Sequence, residues 1–232
     1  MKTLLAIFVL TLVGGLRLSA EEKMVLLKTA LPDPYFGSWI VPLSDTNLAT
    51  QPENIRHWPE FYVPIGTTNL ALHKPVTASC EAITGRPEMV TDGDKSGDDD
   101  GCLELADGPQ WVQIDLQASA QIYAVVVWHF YQEPRVYRSV IVAVSNDSEF
   151  RQDVKIIFNN GTENMLGLGK GSDRNYFESF LGKLIDAKGV KGRYVRLYSR
   201  GNFGNLSSGK FANKLNHYVE VEVFGKELKA SK

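Results

Sequence analysis

The stretch VTDGDKSGDDDG, Val90 to Gly101, holds five aspartates and one lysine in twelve residues. Asp92, Asp94 and Ser96 present a side-chain oxygen at every second position and are followed by Gly97, a spacing that wraps hard cations such as Ca2+. It matches the opening of an EF-hand loop. The rest of that motif fails, because its twelfth position is Leu103 rather than glutamate and no helical pattern flanks it. Ca2+ takes roughly 6 to 8 oxygens, so backbone carbonyls would have to complete the set. Asp98, Asp99 and Asp100 read as solvated charge.

Other chemistries find no foothold. There is no G-x-S-x-G elbow and no H-E-x-x-H pair. GLGKGS, Gly167 to Ser172, fails as a phosphate loop because its glycine spacing before Lys170 is wrong and no helical period follows. The chain reads as a binding protein, not an enzyme.

The elements that must position the acidic loop are strands. From Thr67 onward, short alternating runs are separated by Gly, Asn, Asp and Ser clusters, the pattern of an all-β sandwich or barrel. QWVQIDL places Val112, Ile114 and Leu116 on one face. IYAVVVWHF and RSVIVAVS are continuously apolar, as strands covered on both sides should be. RYVRLYS and HYVEVEVFG alternate, the last with Val219, Val221 and Val223 inward and Glu220 and Glu222 outward. LGKLIDAKG is the best helix candidate, shortened by its two glycines.

Residues 21–66 hold six of the ten prolines and no period of either kind, so regular structure is not expected there. Tyr35, Phe36, Trp39, Trp58, Phe61 and Tyr62 nevertheless make the segment too aromatic for a solvated linker. It is expected to pack on the domain behind it or on a protein partner. Residues 1–20 read as an export signal: Lys2, an apolar run from Leu4 to Leu16, and a small-residue end at Ser19-Ala20. Thirteen apolar residues are too few to span a bilayer, which needs roughly 20. The expected product is secreted.

The full chain carries a net charge of -2. That excludes the global positive field that nucleic acid or anionic membrane binding exploits. The most basic segment, residues 182–200, alternates like a solvated strand face. In an exported chain Cys80 and Cys102 permit a disulfide across the acidic loop, the alternative being two unrelated buried thiols.

Five blocks occur in a telling order: TTNLALHKPVTASC, PEMVTDGDKSG, PQWVQIDLQASAQIYAVVVW, RYVRLYS and HYVEVEVFG. Together, over about residues 67–226, they resemble the discoidin, or coagulation factor 5/8 type C, domain, and most of all exported bacterial proteins that carry it. The resemblance implies an eight-stranded antiparallel jelly-roll sandwich similar to galactose-binding domains, between an irregular segment at 21–66 and a tail at 227–232. It implies a module that binds, most often glycans and otherwise lipids or proteins, without a catalytic centre. It also implies that a structural Ca2+ would take Glu220 from the last strand alongside Asp92, Asp94 and Ser96. Asp92 and Glu220 as a hydrolytic pair would need a cleft that a single sandwich rarely offers. Ligands of such modules meet loops at one end of the sandwich. Here the loop after VVVW offers His129, Tyr131 and Arg135, and the loop after RLYS offers Asn202, Phe203 and His217, an aromatic face with fixed polar donors that suits a sugar. A protein-interaction or adhesion scaffold working through residues 21–66 is the competing expectation.

Overall fold

The computed structural model describes residues 22–34, 58–98, 101–133, 135–164, 166–202 and 214–229. The expected export signal, Tyr35, Phe36, Trp39 and Phe203 lie outside them. Among the described residues eleven strands are formed: β1 (Met24–Leu26), β2 (Tyr62–Pro64), β3 (Thr68–Asn69), β4 (Val76–Ala78), β5 (Leu103–Leu105), β6 (Gln110–Trp128), β7 (Ile141–Ser145), β8 (Lys155–Asn159), β9 (Lys183–Ser199), β10 (Asn216–Tyr218) and β11 (Glu220–Glu227). One 3-10 turn, Pro87–Thr91, leads into the acidic loop. No helix among the described residues is long and apolar enough to cross a membrane.

One long ribbon organises the molecule. β6 and β9 pair antiparallel from Gln110↔Ser199 to Val127↔Lys183, with the register broken between Asp115 and Ala120 and again between Ile122 and Ala124. Gln117, in the first break, takes a φ of 65°. Residues 112–114 of β6 pair with β4, and residues 194–198 of β9 pair with β7, which continues to β8. Residues 120–128 of β6 pair instead with β11, which continues to β3. Tyr137, past the end of β6, bridges to Asn202, past the end of β9. That bridge extends the β7–β9 register, and His129, the residue after β6, stacks on Tyr137 there, while Tyr218, beside Trp128, reaches the Leu197 carbonyl of β9; the two ends of the ribbon thus come together, so it folds over at its break.

The expected antiparallel β-sandwich is therefore the fold observed. Its core lies between the two halves: Val112, Ile114, Val195, Leu197, Val142 and Val144 from one sheet meet Ile122, Val125, Val127, Ile185, Val221 and Val223 from the other. Burying each such side chain stabilises the fold by about 1.5–3 kcal/mol. A second cluster covers the outer face of the second sheet. There Ala124, Val126, Trp128, Val219 and Phe224 pack against Leu27 and Val63, with Trp58 and Phe61 partly buried beside them. Both faces of VVVW are thus dry, which accounts for its unbroken apolar run.

Four expectations need correcting. The segment at 21–66 is not wholly irregular, since β1 and β2 pair antiparallel, Met24↔Pro64 to Leu26↔Tyr62, and form part of the cover. LGKLIDAKG is the start of β9: Ile185 and Ala187 enter the core with period two, and Lys188 and Gly189, at φ 53° and 72°, absorb an irregularity rather than end a helix. Glu220 and Glu222 do project from the outer face, but the cover and the acidic loop bury them at 0% and 6% exposure. No disulfide joins Cys80 and Cys102, which lie in different clusters, Cys80 against the inter-sheet core and Cys102 in the outer one, so the expected bridge is not formed.

Candidate functional site

Because β7 pairs antiparallel with β9, the segment that enters β7 and the one that leaves β9 run side by side at one rim. Arg138 N–H donates to the Gly201 carbonyl at 3.3 Å, and Arg200 N–H donates to the Arg138 carbonyl at 2.9 Å. Asn202 N–H donates to the Leu215 carbonyl at 3.1 Å, adding the entry to β10. Gly201 makes this possible. Its φ is 86°, and a Cβ there would collide with the Lys214 carbonyl.

Three of the six residues expected to bind ligand come together, but beneath this rim. His129, Arg135 and His217 are 0%, 7% and 2% exposed. Glu178 Oε1 lies 2.8 Å from His129 Nδ1, and the His129 ring stacks on Tyr137 at 4.4 Å. Glu104 Oε2 lies 2.9 Å from His217 Nε2, Tyr137 Oη 3.0 Å from its Nδ1, and Arg135 Nη1 3.1 Å from that same Nδ1. A carboxylate only accepts, so Nε2 carries the ring proton toward Glu104 and Nδ1 presents its lone pair to the Tyr137 hydroxyl, while the donor-only Arg135 Nη1 lies almost equally close to both nitrogens, 3.1 Å and 3.2 Å. Burial first, then the Arg135 and His129 charges, push the His217 pKa down to about 3. A hydrogen bond to the Leu215 carbonyl opposes that shift. It does not reverse it, because a second ring proton would have to face Arg135. His217 thus stands neutral and props the rim, held by β5–β10 pairing that sets Glu104 opposite it.

Tyr131 points elsewhere, to the acidic loop. Its hydroxyl, 2.6 Å from the Lys95 carbonyl and 2.8 Å from that of Ser96, shares one proton between them. Burial, reinforced by Asp94, Asp98 and Asp33, raises its pKa to about 12, so it stays a donor. A hollow of about 600 Å³ opens there, lined by residues 30–34, the loop and Tyr131.

The candidate metal ligands are brought near one another only in part. Glu220 reaches the loop, where its Oε2 accepts from the Gly93 N–H at 3.1 Å. Its Oε1 is buried without a hydrogen-bond partner, and burial raises its pKa to about 9. An orphaned buried carboxylate oxygen fits a cation. Asp92 and Asp94 instead turn inward on the loop, each Oδ1 accepting the N–H two residues on, from Asp94 at 2.8 Å and Ser96 at 2.9 Å. Among the described residues no three His, Cys, Asp or Glu side chains converge as a metal cluster. The residues present therefore fit an ion held mainly by Glu220 and loop oxygens. Lys95, which the sequence reading passed over, places its ammonium 2.8 Å from Glu222 and 5.1 Å from the Trp128 ring centroid. Thr29 donates to the other Glu222 oxygen at 2.6 Å, fastening the N-terminal cover to β11.

The rim itself carries two hollows that share Arg138 and Arg200. One, about 390 Å³, is also lined by Asp107, Gly108, Pro109, Asn202 and Lys214; the other, about 150 Å³, by Ser139, Asn160, Glu163 and Asn175 among others. Asn202, a residue expected at the site, is 3% exposed with both side-chain polar atoms unpartnered. Asn160 is 2% exposed; its Oδ1 accepts the Val140 N–H at 2.6 Å and its Nδ2 has no partner. Ser139 holds a φ of 50°, a strained backbone at the hollow's edge. The sequence reading missed Arg138, Arg200 and Asn160. The signal was that each arginine stands where an apolar run gives way to a loop.

No family model matches the chain, and no curated protein does. Solved structures do resemble it. A variant of chitosan-binding module 1 from the chitosanase/glucanase of Paenibacillus sp. IK-5 is 21% identical, over 68% of this chain and 99% of that one, with a TM-score of 0.47. A Streptococcus pneumoniae fucose binding module is 18% identical, over 70% and 98%, with a TM-score of 0.45. A family 89 glycoside hydrolase from Clostridium perfringens is 17% identical over 71% of this chain, which spans only 16% of that enzyme, with a TM-score of 0.49.

Proposed function

We propose that this protein is a secreted, non-catalytic carbohydrate-binding module that takes glycan into the hollows around Arg138 and Arg200. The observation that carries the reading is Asn202. A buried amide with neither end hydrogen-bonded costs about 1–3 kcal/mol for each unsatisfied group, and a ligand rich in hydroxyls, each both donor and acceptor, would satisfy both ends. The larger hollow falls within the roughly 300–1,000 Å³ of small-molecule sites. The rim also stands on a preorganised base of buried His129, Arg135, Tyr137 and His217, which suits recognition by loops on a rigid scaffold.

The same reading includes a structural Ca2+ at the acidic loop, with Glu220 as the side chain that would hold it and oxygens of residues 92–96 completing the set. Bound there, a divalent ion supplies positive charge that keeps Glu220 ionised and ties β11 to the loop. The test is a glycan screen of the secreted chain in Ca2+ and in EDTA, followed by titration of the best ligand. Asn202→Ala is expected to weaken binding tenfold or more. Silence across the screen in both conditions would overturn the carbohydrate reading, and an unchanged melting temperature on adding Ca2+ would overturn the ion.

A further inference from the structure

The N-terminal cover is apolar on both of its faces. Its inner face packs on the second sheet through Leu27 and Val63, with Val25 and Phe61 partly buried beside them. On its outer face Met24, Leu26 and Tyr62 are 49%, 40% and 55% exposed, and Ile65, the residue after β2, is 50% exposed. Antiparallel pairing sets Leu26 opposite Tyr62 and Met24 opposite Pro64, in two adjacent rows on the side away from Val25 and Val63. The solvated face of an antiparallel pair is ordinarily polar. Large apolar side chains gathered on such a face mark an interaction surface.

The charges at its two ends decide what kind of partner fits. Leu27 N–H donates to the Phe61 carbonyl at 2.7 Å, carrying the ribbon one step past β1, where the same register sets exposed Lys28 opposite exposed Glu60. At the other end Glu22, two residues before Met24, is ion-paired with Lys226. Each end therefore balances in sign. An anionic lipid surface or a nucleic acid would need an excess of positive charge that this face lacks. The row Glu22, Met24, Leu26, Lys28 runs from acid through apolar to base, which makes it complementary to itself turned end for end. Lys28 of one copy then meets the acidic end of the other, and the apolar centres coincide.

We propose that the outer face of the cover joins two copies of this chain in a two-fold dimer, ribbon stacked on ribbon. A two-fold contact uses one self-complementary patch on both subunits, and paired sheets stack face to face about 10 Å apart. The apolar centre is only a few side chains wide, so the dimer is a weak one, of the class that buries less than about 1,200 Å² in total. The proposal goes beyond the carbohydrate reading and does not depend on it. Because the cover lies on a sheet face rather than at the rim, both rims stay open, and the pair would hold a polyvalent glycan with an avidity that a single copy lacks.

Sedimentation velocity of the secreted chain from about 1 μM to about 200 μM tests it, a range that brackets a weak dimer. The mass is expected to rise from that of one chain toward that of two. Leu26→Glu and Tyr62→Ser, both at exposed positions, should each weaken association tenfold or more while leaving the melting temperature of the dilute chain within about 2 °C of the parent. Ile83→Ser and Ile156→Ser, at apolar positions 55% and 40% exposed elsewhere on the surface, should leave association unchanged. A single-chain mass across the whole range would overturn the dimer. So would association that Leu26→Glu and Tyr62→Ser leave intact, or that Ile83→Ser or Ile156→Ser weakens as much as they do.

Discussion

His217 offers the sharpest test of the base beneath the rim. Its ring is neutral in the fold and its pKa stands at about 3, against about 6.5 in the unfolded chain. The folded value is depressed, so the stabilisation from His217 is complete above the unfolded pKa and is lost as pH falls toward the folded one. At about pH 4.5 the unfolded ring is protonated and the folded ring is not, a gap of about two pH units worth roughly 3 kcal/mol. For a domain of this size that is a fall in melting temperature of roughly 6–12 °C. The assay is thermal unfolding followed by circular dichroism from about pH 7.5 to about pH 4.5, for the parent and for His217→Gln, whose amide can still donate toward Glu104 but does not titrate. Other groups titrate equally in both chains, so the difference between the curves isolates this ring. The variant starts lower at neutral pH, because an amide that donates to Glu104 does not place its oxygen where the ring's Nδ1 meets the Tyr137 hydroxyl, and the gap should close on acidification. Curves that run parallel across the range would refute the neutral ring inferred from the structure.

Three further outcomes are expected. In EDTA, Glu220, with its pKa raised to about 9, favours the folded state fully below the ordinary carboxyl range and opposes it increasingly as pH rises toward that value; Glu220→Gln should gain roughly 3 kcal/mol at about pH 7 and lose any response to Ca2+, as read by chemical denaturation. Leu27→Ala opens the seam between the cover and the outer face of the second sheet, and should lower stability by about 2–4 kcal/mol in urea titration without changing the folded β signal. Gly201→Ala forces a Cβ against the Lys214 carbonyl and should abolish glycan binding at the rim while shifting the melting temperature by only a few degrees, roughly 1–3 kcal/mol of strain.

Much of this architecture was legible from period alone. Val112 and Ile114, or Val221 and Val223, sit on the core face that alternation assigns them. The continuous run at VVVW correctly signalled a strand dry on both sides, though not what dried it. That depends on Leu27 and Val63, which are distant in sequence and lie in a segment without visible period. The helix expected at LGKLIDAKG failed because tertiary pairing with β6 outweighed a weak local preference. At the site, Asn202 was identifiable as a loop amide, and Glu220 by its place in the closing block. His129, Arg135 and His217 have side chains that suit ligands, and sequence cannot tell a rim from the layer just below it. Depth decides their role, and depth comes from the fold of the ribbon. Arg200 reads from sequence as part of a solvated strand face and Arg138 as the start of an apolar run, and neither is distinguishable as a rim residue until β7–β9 pairing brings the two segments together.

The folded ribbon has a mechanical corollary. β6 and β9 form the spine of both sheets, so tension applied at the rim by a captured ligand runs along the strands, not across them. Hydrogen bonds on either side of the spine would then be strained in parallel, as in shearing, instead of opening one after another like a zipper.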